Sequence, residues 1–295
     1  MQTILTKPSI DLINDSVKEK AESYLGKIYG EELLSGMGAG RAFKVNIGEK
    51  PIVIKHSPDK TERLFYENLS QTVNAAGIKT PKLIGSGNAD KLSWIAIEYI
   101  PQMLQPARWR DDEEVIKKLA RLHTIKIDES FLSANSGKHN WSESRNDIAI
   151  QLWPDKDRSW ILKLLENIRD EYLQNFEKNH FVSGDPNGKN WGLDKSGELV
   201  LFDWERVGYS DPATDLMAVA FGQPDQKIFD NIAKLYLKHS SCLLSIKELS
   251  RKIQVGRAHI IISIVKDYFQ NENYLDKDVV KYLQKEFPKW LKETF

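Results

Sequence analysis

A chain of 295 residues with 42 basic and 42 acidic side chains carries no net charge, so composition gives it no general attraction to nucleic acid or to an anionic membrane. Its 41% hydrophobic content supports packed cores rather than disorder. At about 150 residues per domain the length fits two lobes. Cys242 is the only cysteine, which excludes an intrachain disulfide and suits a reducing compartment. The first residues lack an apolar core of signal-peptide length, and the run Ile260–Val265 is too short to span a bilayer. A cytoplasmic protein with no nucleic-acid or membrane partner is expected; oligomeric state is not legible.

In chain order, residues 9–29 read as a helix from the rough 3–4 spacing of Leu12, Val17, Ala21, Tyr24 and Leu25. A short strand then enters a glycine cluster, Gly36, Gly38 and Gly40. Glycine at alternate positions lets backbone N–H groups approach a phosphate with no Cβ between them. A strand follows it, not a helix, so the pattern is neither a Rossmann turn nor a P-loop but suits a hairpin lid over phosphates. Residues 41–46 and 51–55 form a hairpin whose second strand carries Lys55 after three β-branched residues. A helix beginning near Pro58 or Asp59 and running to Ala76 holds Glu62 and Glu67, of which Glu67, two turns in, is the expected partner for Lys55. Leu92–Ile100 is strongly strand-like and is stopped by Pro101, which places a hinge between lobes at 98–102. Backbone groups of Glu98 and Ile100 there suit an adenine edge.

Beyond the hinge the chain is mainly helical. Asp112–His123 places acids first and bases last, as the helix dipole favours, and its His123 is expected to pack rather than catalyse. Further helices are expected over 159–177, 213–222, 225–243 and, two or three of them, 247–295. The acids Asp155, Asp157, Glu272 and Asp276 are candidates to line a cleft, with solvated faces as the plainer expectation.

Between these helices lies the most informative stretch, residues 181–206. A short apolar run ends at Asp185, a loop with Pro186 and Gly188 follows, and Asn190 lies five residues after the aspartate. A second apolar run, Leu199–Phe202, stops at Asp203. Two carboxylates and an amide oxygen are thereby brought to the ends of two strands. Magnesium takes oxygen ligands, usually one or two carboxylates with substrate phosphates, so Asn190 and Asp203 are the candidate metal ligands. Asp185 is left to meet the proton of an attacking hydroxyl.

The ordered set of glycine turn, Lys55, helix glutamate, Leu119–His123, Ser183–Asn190, Phe202–Glu205 and Asp211–Leu216 resembles the aminoglycoside phosphotransferase and choline kinase superfamily over roughly residues 30–295. The resemblance implies an α+β, bilobal protein-kinase-like fold, with an antiparallel nucleotide lobe over residues 1–100 and a helical lobe over 101–295. It implies Asp185 as catalytic base, Asn190 and Asp203 on Mg2+, Lys55 on the phosphates of ATP or GTP, and Asp215 as a structural brace. The family's usual histidine two residues before the base is Ser183 here, a departure that bears on how the loop is braced. The expected reaction is phosphoryl transfer to a small-molecule hydroxyl: an aminoglycoside-like antibiotic, a choline-like amino alcohol or a sugar. A protein kinase and a nucleotide-binding regulator of little activity are the alternatives. Only seven residues separate Asp203 from Asp211, which leaves little room for a peptide platform.

Overall fold

The computed structural model describes residues 12–34, 40–128, 141–270 and 277–295. An opening helix α1 (Asp15–Leu25) is followed by β1 (Ile28–Leu34), β2 (Arg41–Ile47), β3 (Lys50–Ser57), β4 (Leu83–Ala89) and β5 (Leu92–Glu98). These five strands make an antiparallel sheet in the order β1-β2-β3-β5-β4. Alternation decides what each face carries. Phe43, Val45, Ile52, Ile54, Trp94 and Ala96 point outward into a small core that Val17 and Ala21 of α1 cover. Val53, Ile95 and Ile97 point inward and join the main core shared with the helical half. Lys55, two residues from Val53, projects on the inner side.

Helix α1 is shorter than the pattern predicts. The Asn14 side chain accepts from the N–H groups of Ser16 and Val17 at 3.1 and 3.3 Å and starts the helix there. Gly26, at φ +91°, lets the backbone turn out of it, and Ile28 already pairs with Ile47. The predicted helix to Ala76 is two pieces, α2 (Thr61–Asn68) and α3 (Ser70–Ala75).

Residues 99–101 belong to no strand. Beyond them come β6 (Gln102–Met103), α4 (Glu113–Leu122), α5 (Glu143–Ala149), α6 (Asp155–Asn175), β7 (His180–Val182), β8 (Trp191–Leu193), β9 (Leu199–Leu201) and β10 (Gly208–Ser210). Helices α7 (Ala213–Val219), α8 (Gln226–His239), α9 (Ile246–Gln270) and α10 (Lys277–Thr294) complete the chain. The short strands form a three-stranded sheet, β6-β8-β9, and a pair, β10-β7. Among the described residues no helix is long and apolar enough to cross a membrane.

The loop after β7 is fixed by a buried carboxylate. Asp215, fully buried on α7, accepts from the backbone N–H of Ser183 at 3.0 Å and of Gly184 at 2.8 Å. His123 Nε2 lies 3.1 Å from the same carboxylate, while its Nδ1 meets the Tyr236 hydroxyl at 2.9 Å. The bracing therefore survives Ser183, because the backbone N–H groups make it and His123, from the end of α4, supplies an imidazole. Gly184 is obligatory: its φ is +86°, and a Cβ there would lie 2.2 Å from the carbonyl oxygen of Arg206.

Asp215→Ala leaves two buried N–H groups and an imidazole without their acceptor, so we expect it to lower the unfolding free energy by about 3 kcal/mol or more. Equilibrium denaturant unfolding checks this, and a loss below about 1 kcal/mol would contradict the brace.

Candidate active site

Lys55, Asp203, Asn190 and Asp185 are brought together where the inner face of the sheet meets the loops of the helical half. Lys55 Nζ lies 2.6 Å from Glu62 Oε2 and donates to Asp203 Oδ1 at 2.8 Å. The ammonium thus ties β3 to α2 and to the turn after β9. Burial alone would lower the Lys55 pKa, but Asp203 and Glu62 more than offset it and hold the lysine charged. Burial pushes the Glu62 carboxyl up, further than Lys55 pulls it down, and Asp203 adds to the rise.

The partner of Lys55 is Glu62, which corrects the expectation of Glu67. Glu67 instead accepts from Arg63 Nη1 at 2.7 and 2.9 Å and from Ser86 Oγ at 2.8 Å. The reason is helical phase. Glu62 shares a face with Phe65, Tyr66 and Leu69, all buried in the main core, whereas Arg63 and Glu67 face the strands carrying Ser93 and Ser86. With α2 starting at Thr61, Glu62 falls in its first turn, not where a start near Pro58 would put it. The i+3, i+4, i+7 spacing of Phe65, Tyr66 and Leu69 from Glu62 is the signal in the sequence that would have identified the buried glutamate.

Asp203 adopts φ +67°, in the left-handed region that non-glycine residues seldom enter. Its neighbour locks it there: Trp204 stacks on Phe65 at 4.0 Å between ring centroids, and its N–H donates to Glu62 Oε1 at 3.2 Å. Asn190 is held from both sides. Its Nδ2 donates to the carbonyl of Asp185 at 2.8 Å, and its own carbonyl accepts from Phe202 N–H at 3.0 Å. The β8–β9 pairing, with Trp191 opposite Leu201, brings Asn190 and Asp203 to one end of that hairpin. With Nδ2 committed, Asn190 Oδ1 is the end open to a cation.

Asp185 Oδ1 accepts from Asn187 Nδ2 at 2.9 Å, whereas Oδ2 has Arg206 Nη1 at 3.9 Å, beyond hydrogen-bond range. Oδ2 is the oxygen open to a substrate proton. Burial pushes the Asp185 carboxyl up, with Arg206 and Asn187 opposing and Asp203 adding to the rise.

Two carboxylates, Glu62 and Asp203, face one ammonium, a surplus of negative charge that a divalent cation relieves. No cluster of three metal-ligating His, Cys, Asp or Glu side chains occurs among the described residues. One carboxylate and one amide oxygen suit magnesium, which fills its shell with phosphate oxygens and water.

The remaining predicted positions are accounted for as follows. Gly36 and Gly38 lie outside the described residues; Gly40 sits at the start of β2, where a Cβ would be 3.4 Å from the carbonyl of His56. The Glu98 side chain is exposed and its Oε2 takes Lys82 N–H at 3.4 Å. Ile100 is buried, its Cγ2 2.6 Å from where a Cβ on Gly192 would be, so the hinge rests on β8. Asp155 and Asp157 open α6, bonded to Arg158 and Trp160, while Glu272 and Asp276 lie outside the described residues. Sequence reasoning missed Arg206 and Arg257; Arg257, on α9, also acts on Asp185.

Similar architectures occur among solved structures. Spectinomycin phosphotransferase in complex with ADP and spectinomycin superposes with a TM-score of 0.66 at 14% identity, covering 94% of this chain and 97% of that one. A thermostable mutant of an aminoglycoside phosphotransferase, with AMP-PNP and hygromycin B, gives 0.63 at 13% identity, covering 94% and 98%. A Haemophilus somnus protein assigned as a fructosamine-3-kinase gives 0.58 at 13% identity, covering 95% and 97%. No curated protein matches the sequence significantly. At these identities the structures share the fold alone, a protein-kinase-like one. Residues 32–239 match the model of the phosphotransferase enzyme family, and the chain, a phosphotransferase enzyme of small-molecule kinase type, belongs to that family.

Proposed function

We propose that this enzyme transfers the γ-phosphoryl group of ATP, or of GTP, to a hydroxyl of a small molecule. The observation that carries the proposal is the meeting of Lys55, Asn190, Asp203 and the open oxygen of Asp185 in one crevice. The nucleotides held by the similar structures, ADP and AMP-PNP, support a nucleotide substrate here.

In this reading Lys55, aligned by Glu62, meets the nucleotide phosphates, and the backbone at Glu98–Ile100 meets the adenine edge. The glycine turn, Gly36, Gly38 and Gly40, closes over the phosphates. Asn190 and Asp203 would hold Mg2+, which when bound neutralises charge on the phosphoryl groups. Asp185 Oδ2 accepts the hydroxyl proton of the acceptor. A bond forms between the acceptor's hydroxyl oxygen and the γ-phosphorus, the bond to the β,γ-bridging oxygen breaks, and its electron pair leaves with the diphosphate. The protein's share is alignment and charge, the terms that dominate this chemistry.

Asp203→Ala should abolish Mg-nucleotide binding and turnover together, whereas Asp185→Ala should keep nucleotide binding and lose transfer by about 10² or more. Nucleotide titration beside a steady-state assay measures both, and a fully active Asp185→Ala enzyme would remove the assigned role. Glu62→Gln should weaken nucleotide binding by roughly tenfold, while Glu67→Gln leaves it close to wild type; equal effects would contradict the pairing. Because Asp185 must be ionised to accept the proton, activity should fall as the pH drops through its raised pKa. Arg206→Gln removes an influence that lowers this pKa, so the acid limb of the pH–rate profile should move to higher pH; a limb that stays or moves down would overturn that role for Arg206.

A further inference from the structure

The surroundings of Asp185 on the side away from Lys55 are basic. Helix α7 gives way to a turn at Phe221–Gly222, and the two successive carbonyls of that turn gather two guanidinium groups. Arg110 Nε donates to the Phe221 carbonyl at 2.9 Å, and Arg257 Nε to the Gly222 carbonyl at 2.7 Å. Gly222, at φ +84°, has no side chain to fill the space, and a Cβ there would lie 3.0 Å from Arg110 Nη2. Lys189, one residue before Asn190, places its ammonium 5.9 Å from the ring centres of both Trp109 and Phe221. Trp109 in turn covers Gly188 of the catalytic loop, where a Cβ would come within 2.2 Å of the indole. Arg206 completes the set beside Asp185.

Arg257 is the most informative of the four. It is 5% exposed, yet no carboxylate pairs with it among the described residues. Its Nε and Nη1 go to backbone carbonyls, of Gly222 and, at 3.4 Å, Met217. Its Nη2 has no acceptor among the described residues. Burial pulls this guanidinium down to about 10, with Asp185 opposing and Arg110 adding to the fall, so it is a cation at neutral pH. A buried charge without a hydrogen-bonded counter-ion is costly unless something arrives to match it. Arg110 and Lys189 likewise have no carboxylate partner among the described residues. A cationic acceptor entering here would meet like charge, and like-charge contacts disfavour binding by several kcal/mol.

We propose that the acceptor is an anionic alcohol, a small hydroxyl compound carrying a phosphate or carboxylate group, whose charge is received by Arg110, Lys189 and Arg257 while its hydroxyl meets Asp185. This rests on the phosphotransferase reading for the hydroxyl; the anion site itself stands on the arginines. Arginine forks match the planar oxygens of both anions, so the shared chemistry is the anion and the assay distinguishes the two.

The test is a transfer assay with Mg-ATP on matched pairs: glycerol against glycerol 3-phosphate and against glycerate, and glucose against glucose 6-phosphate, with spectinomycin, hygromycin B and choline alongside. The expected result is a kcat/KM at least about tenfold higher for an anionic alcohol than for its neutral parent. Arg110→Gln with Lys189→Gln, both at exposed positions, should raise the KM for that anion by about tenfold or more while nucleotide Kd stays constant. Arg257→Lys, which keeps the charge and loses the fork, should be less damaging than Arg257→Gln. Preference for a cationic acceptor would overturn the anion site and leave the transferase reading intact. Calorimetric titration of glycerol 3-phosphate and glycerate into enzyme saturated with Mg-AMP-PNP covers the case of no transfer. Saturable binding weakened about tenfold by the double variant would uphold the anion site and sink the transferase reading. Absence of saturable binding by either anion would overturn the site.

Discussion

The active region depends on one buried ammonium. Lys55 connects a strand, a helix and a turn that are far apart in sequence, because Glu62 and Asp203 both bind it. Removing Lys55 leaves two desolvated carboxylates without their match, which is why such a site tolerates loss of the lysine poorly. The same contact orients both sides of the crevice. Glu62 also takes the Trp204 N–H, Trp204 stacks on Phe65, and Asp203 is thereby held in a conformation its backbone would not choose alone. Strain at Asp203 is thus supported by apolar packing immediately next to it.

Charge is divided across Asp185. Toward the sheet lie Glu62 and Asp203 with a single lysine, a surplus of carboxylate suited to a metal-bound polyphosphate. Toward α9 lie Arg206, Arg257, Arg110 and Lys189, a surplus of cation. Asp185 sits where the two fields meet, and opposing influences act on its carboxyl: burial raises it, and the arginines lower it. In the role proposed for Asp185, a general base works best when its ionised form is both populated and reactive, and these opposing influences act on both.

Much of this was legible in the sequence because it is local. The patterns in Pro51–Lys55 and Leu92–Glu98 specify strands, and Asp185, Asn190 and Asp203 flank one hairpin, β8–β9. Helix α4 carries its own signals, with Asp112 accepting from the N–H groups of Glu114 and Val115 at its start. What escaped depends on tertiary placement. Glu67 was preferred to Glu62 by distance along a helix, whereas rotation about the helix decides which glutamate enters the core. The break at Leu69 carries no glycine or proline to announce it. Arg257 comes from a helix late in the chain, and only the packing of α9 against α7 brings it near Asp185. His123 could be anticipated as a packed residue, but its service to Asp215 alongside Ser183 requires the assembled fold.

The central claim is that one crevice between sheet and helices gathers the oxygen donors for a metal-bound triphosphate beside a base. A crystal structure of the enzyme with AMP-PNP and magnesium tests it most directly. The account predicts a cation about 2.0–2.1 Å from Asn190 Oδ1 and an Asp203 carboxylate oxygen, with Lys55 on the phosphates and the γ-phosphoryl group facing Asp185 Oδ2. A nucleotide bound elsewhere, or a metal coordinated without Asn190 and Asp203, would contradict it.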